Sequence, residues 1–219
     1  MTSTINRTTF LIDGFNLYHS VREAINNSRS TDTSSMKWLD IHALCASYLH
    51  LTGRNSILQD VFYFSALATH LVPVKPDVVV RHQVFIDALK STGVTVELGR
   101  FKEKTLYCPH CKEKIVRHEE KETDVALSLK LLELFVSDAC DTVVLMTGDT
   151  DVAPAIRLAQ RLYPNKRVLF AFPYNRKNKE LAKLVPNSFS IAREQYGRFQ
   201  FAPRIKTSDG RILVKPSSW

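Results

Sequence analysis

The sequence predicts an α/β fold: a mostly parallel central sheet, helices on both faces, and a small hairpin insertion carrying a cysteine pair. Three observations lead there. Short apolar, β-branched runs such as Thr8–Ile12 and Thr142–Met146 read as buried strands. Segments of helical period alternate with them, which favours parallel strands joined by crossover helices. Two of the strand-like runs also end in an acidic residue near Gly, as strand ends at a ligand crevice do.

The elements follow in order. After Thr8–Ile12 comes a helix through Leu17–Ala24. Residues 25–37 are polar and aperiodic and read as a mobile loop. Asp40 caps a helix running through His50, with Leu44, Tyr48 and Leu51 on its apolar side. Val61–Phe64 is a second strand, and Pro76 opens a helix to about Ser91. Thr95–Leu98 is a third strand. Glu122–Phe135 has a strong helical period, with Val125, Leu129 and Leu132 on one face and Ala126 and Leu127 flanking it. Thr142–Met146, a helix over Val152–Leu162, a strand at Arg167–Phe172, a short helix at Asn178–Val185 and a strand at Phe189–Ile191 complete the pattern. Residues 1–186 then form one domain, with 105–118 as its insertion. Residues 187–219 form a basic, aromatic extension with a hairpin around Asp209–Gly210.

The chain has 219 residues, 44% apolar and 24% charged, as expected of a soluble globular protein that needs no disulfides for its core. No apolar stretch reaches the roughly 20 residues of a membrane span. The first residues lack the pattern of a signal peptide, so a cytoplasmic location is expected. The formal net charge of +8 suits a partner rich in phosphate. Cys45 and Cys140 sit among apolar neighbours and read as core thiols.

Five side chains from three segments are placed to meet: Asp13 and Asn16 in FLIDGFNLY, Asp124 in EEKETDVAL, and Asp149 and Asp151 in VVLMTGDTDVAP. Each acid alone reads equally well as a helix cap or a first-turn carboxylate. Together at strand ends and a helix start, four carboxylates would repel one another unless a divalent cation lay between them. Two basic stretches, 100–105 and 175–179, follow the third and fifth strands. Lys102, Lys104, Arg176 and Lys177 are therefore candidate phosphate contacts, the alternative being a solvated charged face. Arg81 and His82 read as ordinary surface groups. Cys108 and Cys111, with His118 nearby, offer three zinc ligands; the alternative is a reduced thiol pair at a hairpin tip.

IDGFNLY, EEKETDVALSLKLLELF and VVLMTGDTDVAPAIRLA, in that order and spacing, resemble the NYN domain, specifically LabA-like members of the PIN-like nuclease superfamily. The resemblance covers roughly Thr8 to Val185, and the closing Lys215–Trp219 also looks LabA-like. It implies a PIN-like, Rossmannoid fold and a metal-dependent endoribonuclease, or an RNA-binding regulatory module of that fold with weak or lost catalysis. Asp13, Asp124, Asp149 and Asp151 would hold Mg2+ or Mn2+, with Asn16 orienting a carboxylate or a water. Thr147, Thr150 and Lys121 would contact the metal shell or substrate phosphate. The expected products are a 5′-phosphate and a 3′-hydroxyl. LabA-like relatives often carry a cysteine pair in the insertion, which supports the Zn2+ reading. Glu122 and Thr123 depart from the small residue and Val of many relatives. A haloacid-dehalogenase-like phosphatase would need a second Asp where this chain has Phe15. RNA is the expected partner, a homodimer would lengthen the basic surface, and a third reading is an interaction protein acting through residues 193–206.

Overall fold

Apolar strands alternating with helices assemble one seven-stranded sheet in the order β4-β3-β2-β1-β5-β6-β7. The computed structural model describes residues 5–27 and 34–219. The strands are β1 (Asn6–Asp13), β2 (Ser56–Ala66), β3 (Thr95–Tyr107), β4 (Lys114–Lys121), β5 (Thr142–Met146), β6 (Arg167–Phe172) and β7 (Phe189–Ser190). All neighbours pair in parallel except β3 with β4, which form an antiparallel ribbon. The expected α/β class and mostly parallel sheet are therefore present.

The helices are α1 (Gly14–Asn26), α2 (Ile41–Ser47), α3 (Val78–Ser91), α4 (Thr123–Val136), α5 (Ala153–Leu162), α6 (Lys179–Leu184) and α7 (Arg193–Arg198). The chain walks outward from β1 through β2 to β3, then returns to the other side of β1 at β5. Right-handed crossovers in opposite directions put their helices on opposite faces. Accordingly α4 and α5 pack on each other, with α4 lying over β1 and β2, while α3 packs on β3.

Several local expectations need correction. Ile25 and Asn26 finish α1 and Ser34–Lys37 form a 3-10 turn; the rest of the expected loop lies at 28–33, outside the described residues. The helix capped by Asp40 ends at Ser47, and Leu51 is exposed in a following 3-10 turn. Pro76 precedes Asp77, the N-cap of α3, rather than opening the helix itself. In α4 the buried face is Leu127, Leu131, Leu134 and Phe135, whereas Val125 and Leu129 are 62% and 61% exposed. Apolar residues nearly encircle this helix, so its period could not choose the face. The entry does, through Glu122 in the left-handed region at φ 80°.

The third strand does not stop at Leu98. It runs to Tyr107 because β4 pairs with it beyond the sheet, from Arg100↔Lys121 to Tyr107↔Lys114. The basic stretch 100–105 is therefore strand, not loop. Residues past 187 pack into the same core. Ile191, Tyr196, Phe201 and Leu213 are buried, and the Trp219 ring lies 6.2 Å from Trp38 and 5.4 Å from Phe85. The expected hairpin forms as β8 (Arg204–Lys206) and β9 (Ile212–Val214).

Candidate active site

Between β1 and β5 the sheet order reverses direction, and in open α/β sheets the ligand crevice forms beyond the strand ends at that place. Asp13 ends β1 and Asp149 follows β5, so the topology brings the first and third acidic segments together. Asp13 is 6% exposed and caps α1. One carboxylate oxygen accepts the Asn16 backbone N–H at 2.9 Å, and the other accepts the Thr147 hydroxyl at 2.8 Å. Burial pushes its carboxyl above the ordinary value, against the pull of those hydrogen bonds. The loop after β5 is tied back by the Gly148 N–H, which donates to Asn16 Oδ1 at 3.2 Å. A side chain at Gly148 would meet the Arg176 carbonyl at 2.1 Å, so this approach requires glycine.

Asp149 caps the 3-10 turn Thr150–Val152 and accepts the Asp151 N–H at 3.1 Å. Asp151 is exposed and Asp124 half-buried in the first turn of α4. Burial first, then the negative charges of Asp13, Asp149 and Asp151, push Asp124 up to about 6. The four acids therefore share one electrostatic environment. A fifth joins them that the sequence reading passed over. Glu120, near the end of β4, is pushed up to about 7 by burial and by Asp13 and Asp124, although it accepts the Thr123 hydroxyl. Its signal lay in strand alternation: the adjacent Glu119 and Glu120 of the EEKE run point to different faces.

Carboxylate oxygens from four elements are the hard donors Mg2+ or Mn2+ takes, and their mutual repulsion is what a cation relieves. In position they stand apart: among the described residues, no group of three or more His, Cys, Asp or Glu side chains is close enough to hold a metal ion. The donor chemistry suits a divalent cation, for which Asp13, Asp124, Asp149 and Asp151 are the candidate ligands once drawn together. A groove of ≈ 830 Å3 leads away from them between α4 and α5, lined by Asp124, Ser128, Leu132, Thr150, Asp151 and Arg157 among others.

Other expected site residues fall in different places. Thr147 is fully buried and its hydroxyl is engaged by Asp13 and by the Asp149 N–H at 3.1 Å, so it positions Asp13 and does not reach a substrate. The Asn16 side-chain oxygen accepts from the Gly148 backbone, and its backbone N–H holds the Asp13 carboxylate. Thr150 and Lys121 line the groove, Lys121 while bonded to Glu119 at 3.1 Å. Lys104 pairs with Glu119 at 2.7 Å, and cross-strand pairing puts Lys102, Lys104 and Lys121 on the ribbon face opposite Glu120. Lys102 and Lys104 therefore do not face the carboxylates. Arg176 pairs with Glu23 at 3.2 Å, and Lys177 is exposed. Arg81 and His82 are partly buried, Arg81 reaching Ser218 at 2.6 Å.

Cys108 and Cys111 form the ribbon tip as expected, and backbone N–H groups of Cys111 and His110 hold the Cys108 thiol below its ordinary value. His118 is not beside them. It sits opposite Glu103, roughly 13 Å down the strand from the last ribbon pair, with its ring stacked on His70 at 4.1 Å. The proposed three-ligand zinc set is thus not assembled within the ribbon. Cys45 and Cys140 are buried core thiols, as expected.

No helix among the described residues is long and apolar enough to cross a membrane. A crystal structure of a protein of unknown function from Vibrio parahaemolyticus is similar in fold, with TM-score 0.51 and 18% identity over 88% of this chain and 97% of that one. Comparison with curated proteins returned no match. The NYN domain profile matches residues 7–191, which takes in β1 to β7 and every acid described above. The chain belongs to the NYN domain family, a family of PIN-like nucleases.

Proposed function

We propose that the protein is a Mg2+- or Mn2+-dependent endoribonuclease. The observation that carries this reading is the convergence of Asp13, Asp124, Asp149 and Asp151 on the sheet's reversal point, where burial first and then the other three charges raise Asp124. Charges kept together without cationic partners cost stability, and such arrangements mark functional sites. A bound divalent cation lowers the pKa of a water and neutralises charge on the phosphodiester. Asp13 is locked by Thr147 and Asn16, which gives the site a fixed ligand. Asp124 and Asp151 line the groove, with Asp149 two residues before Asp151, and the groove is the proposed path of the RNA strand. Glu120, ionising near neutrality, is suited to take the proton of the attacking water. Thr150 and Lys121 line this path, while the exposed Lys177 and the far-face Lys102 and Lys104 add a more distant basic field. At the ribbon tip Cys108 and Cys111 offer two thiolates to zinc, the remaining ligands coming from elsewhere.

The test is cleavage of a mixed RNA pool with Mn2+, Mg2+ or EDTA, beside Asp149→Asn. Metal-dependent cutting lost in the variant supports the reading. RNA bound but uncut by the parent identifies an RNA-binding module of the same fold instead.

A further inference from the structure

Four aromatic rings from four separate segments form a continuous ladder beside the acids. Phe15, in α1, meets Phe101 of β3 edge-on at 5.5 Å. Phe101 meets His70, in the turn after β2, at 4.5 Å. The His70 ring then lies parallel to that of His118 on β4, at 4.1 Å and 9°. His70 thus touches both Phe101 and His118, and its Nδ1 is buried without a partner. His118 is exposed, so one ring face rests on His70 and the other is open to solvent. Fixing an exposed side chain costs rotamer entropy, and little burial offsets that cost here.

The ribbon register relates this ring to the acids. Phe101 pairs with Glu120 and Glu103 with His118, so all four share one ribbon face. His118 lies two strand positions from Glu120, about 7 Å, close to the reach of one extended nucleotide. Its cross-strand neighbour is the acid Glu103, which disfavours a phosphate at that spot and leaves the planar surface for a base.

We propose that His118, backed by His70 and Phe101, is a stacking platform for an unpaired base of a single-stranded polynucleotide whose neighbouring phosphate lies at the carboxylates. This rests on the nuclease reading and adds to it a base-binding site on the ribbon, away from the carboxylates. A base in a duplex already has both faces stacked, so the platform selects single strands.

The experiment is binding of labelled oligoadenylate, its DNA counterpart and the matching duplex to the full chain carrying Asp149→Asn, which keeps the probe intact. His118→Ala should weaken single-strand binding about tenfold with its salt dependence unchanged, and His118→Trp should restore it. Equal losses on RNA and DNA support a platform that reads the base alone; a loss confined to RNA supports one that also needs the ribose hydroxyl. Unchanged affinity in His118→Ala overturns the proposal, as does an equal loss on the duplex. A salt slope reduced by about one also overturns it, because His118 would then be a phosphate contact. Cutting by the parent is scored separately, so a protein that never cleaves but loses binding in His118→Ala leaves the platform standing and removes only the nuclease reading.

Discussion

The two ends of β1 and β5 carry acidic clusters that are managed in opposite ways. At the N-terminal end, Arg7 grips Asp141 with two hydrogen bonds of 3.0 Å and reaches Asp138 at 3.2 Å, while Lys166 joins both acids. The Arg7 hydrogen bond holds Asp141 well below the usual carboxylate range, and the bond from Lys166 lowers Asp138. At the C-terminal end, Asp13, Glu120 and Asp124 have hydroxyl or backbone partners or none, and all three are raised, by burial first. One cluster pins the strands together; the other stores repulsion. The first cluster has its counter-ions within the chain, whereas the proposed site leaves its charges to a ligand.

Exchanging a charge at each end is the strongest way to break this comparison. Asp149→Asn should reduce metal-dependent cleavage by at least about 100-fold while leaving the melting temperature equal or higher. Asp141→Asn should do the reverse, costing about 1–2 kcal/mol of stability in a part-exposed ion pair with cleavage per folded molecule retained. If Asp149→Asn melts earlier than Asp141→Asn, the assignment of the two clusters is inverted.

Titration sharpens it next. Asp124 and Glu120 ionise in the unfolded chain from about pH 4 but in the folded chain only near 6 and 7. Between those values the folded state holds more protons, so its stability must fall as pH rises through that window. Asp141 is depressed, so its contribution is full above the unfolded value and is lost as pH falls through the acid range. In EDTA, melting scans should therefore show stability falling from about pH 4 to 7, a slope that Glu120→Gln makes shallower at its upper end. Mg2+ at the higher pH should restore the loss in the parent more than in Asp149→Asn. The smallest effect is expected at Lys102, on the far ribbon face. Lys102→Ala should change RNA affinity by less than about threefold, with a salt slope lowered by at most about one; a larger loss would mean that RNA wraps the ribbon.

Much of this was legible before folding. Asp13, Asp149 and Asp151 announce themselves because an apolar run stops at an acid beside Gly, and Asp124 because it opens an amphipathic helix. Glu120 was lost in a run of charges whose alternation matters only once β4 is known to pair with β3. His118 was assigned to the cysteines by nearness in sequence, yet an extended strand separates residues quickly, and its ring belongs with His70. Lys102 and Lys104, candidate phosphate contacts in the sequence, lie past Leu98 where only pairing with β4 sets the face, and that pairing turns them from the carboxylates. The aromatics Tyr196 and Phe201 of the terminal segment, open to an interaction role in sequence, are core groups: the Tyr196 hydroxyl bonds Ser20 at 2.8 Å, and Phe201 packs on Trp38 at 5.5 Å.

Local chemistry was enough to mark most strands of the parallel sheet, the Asp13 and Asp40 caps and the four candidate Asp residues, because each depends on neighbours a few positions away. The facing of α4, the fifth acid, the orientation of the ribbon lysines and the four-ring ladder depended on tertiary structure. Each is set by a rotation or a register between segments far apart in the chain, and pairing across a sheet turns a shift of one residue into a change of face.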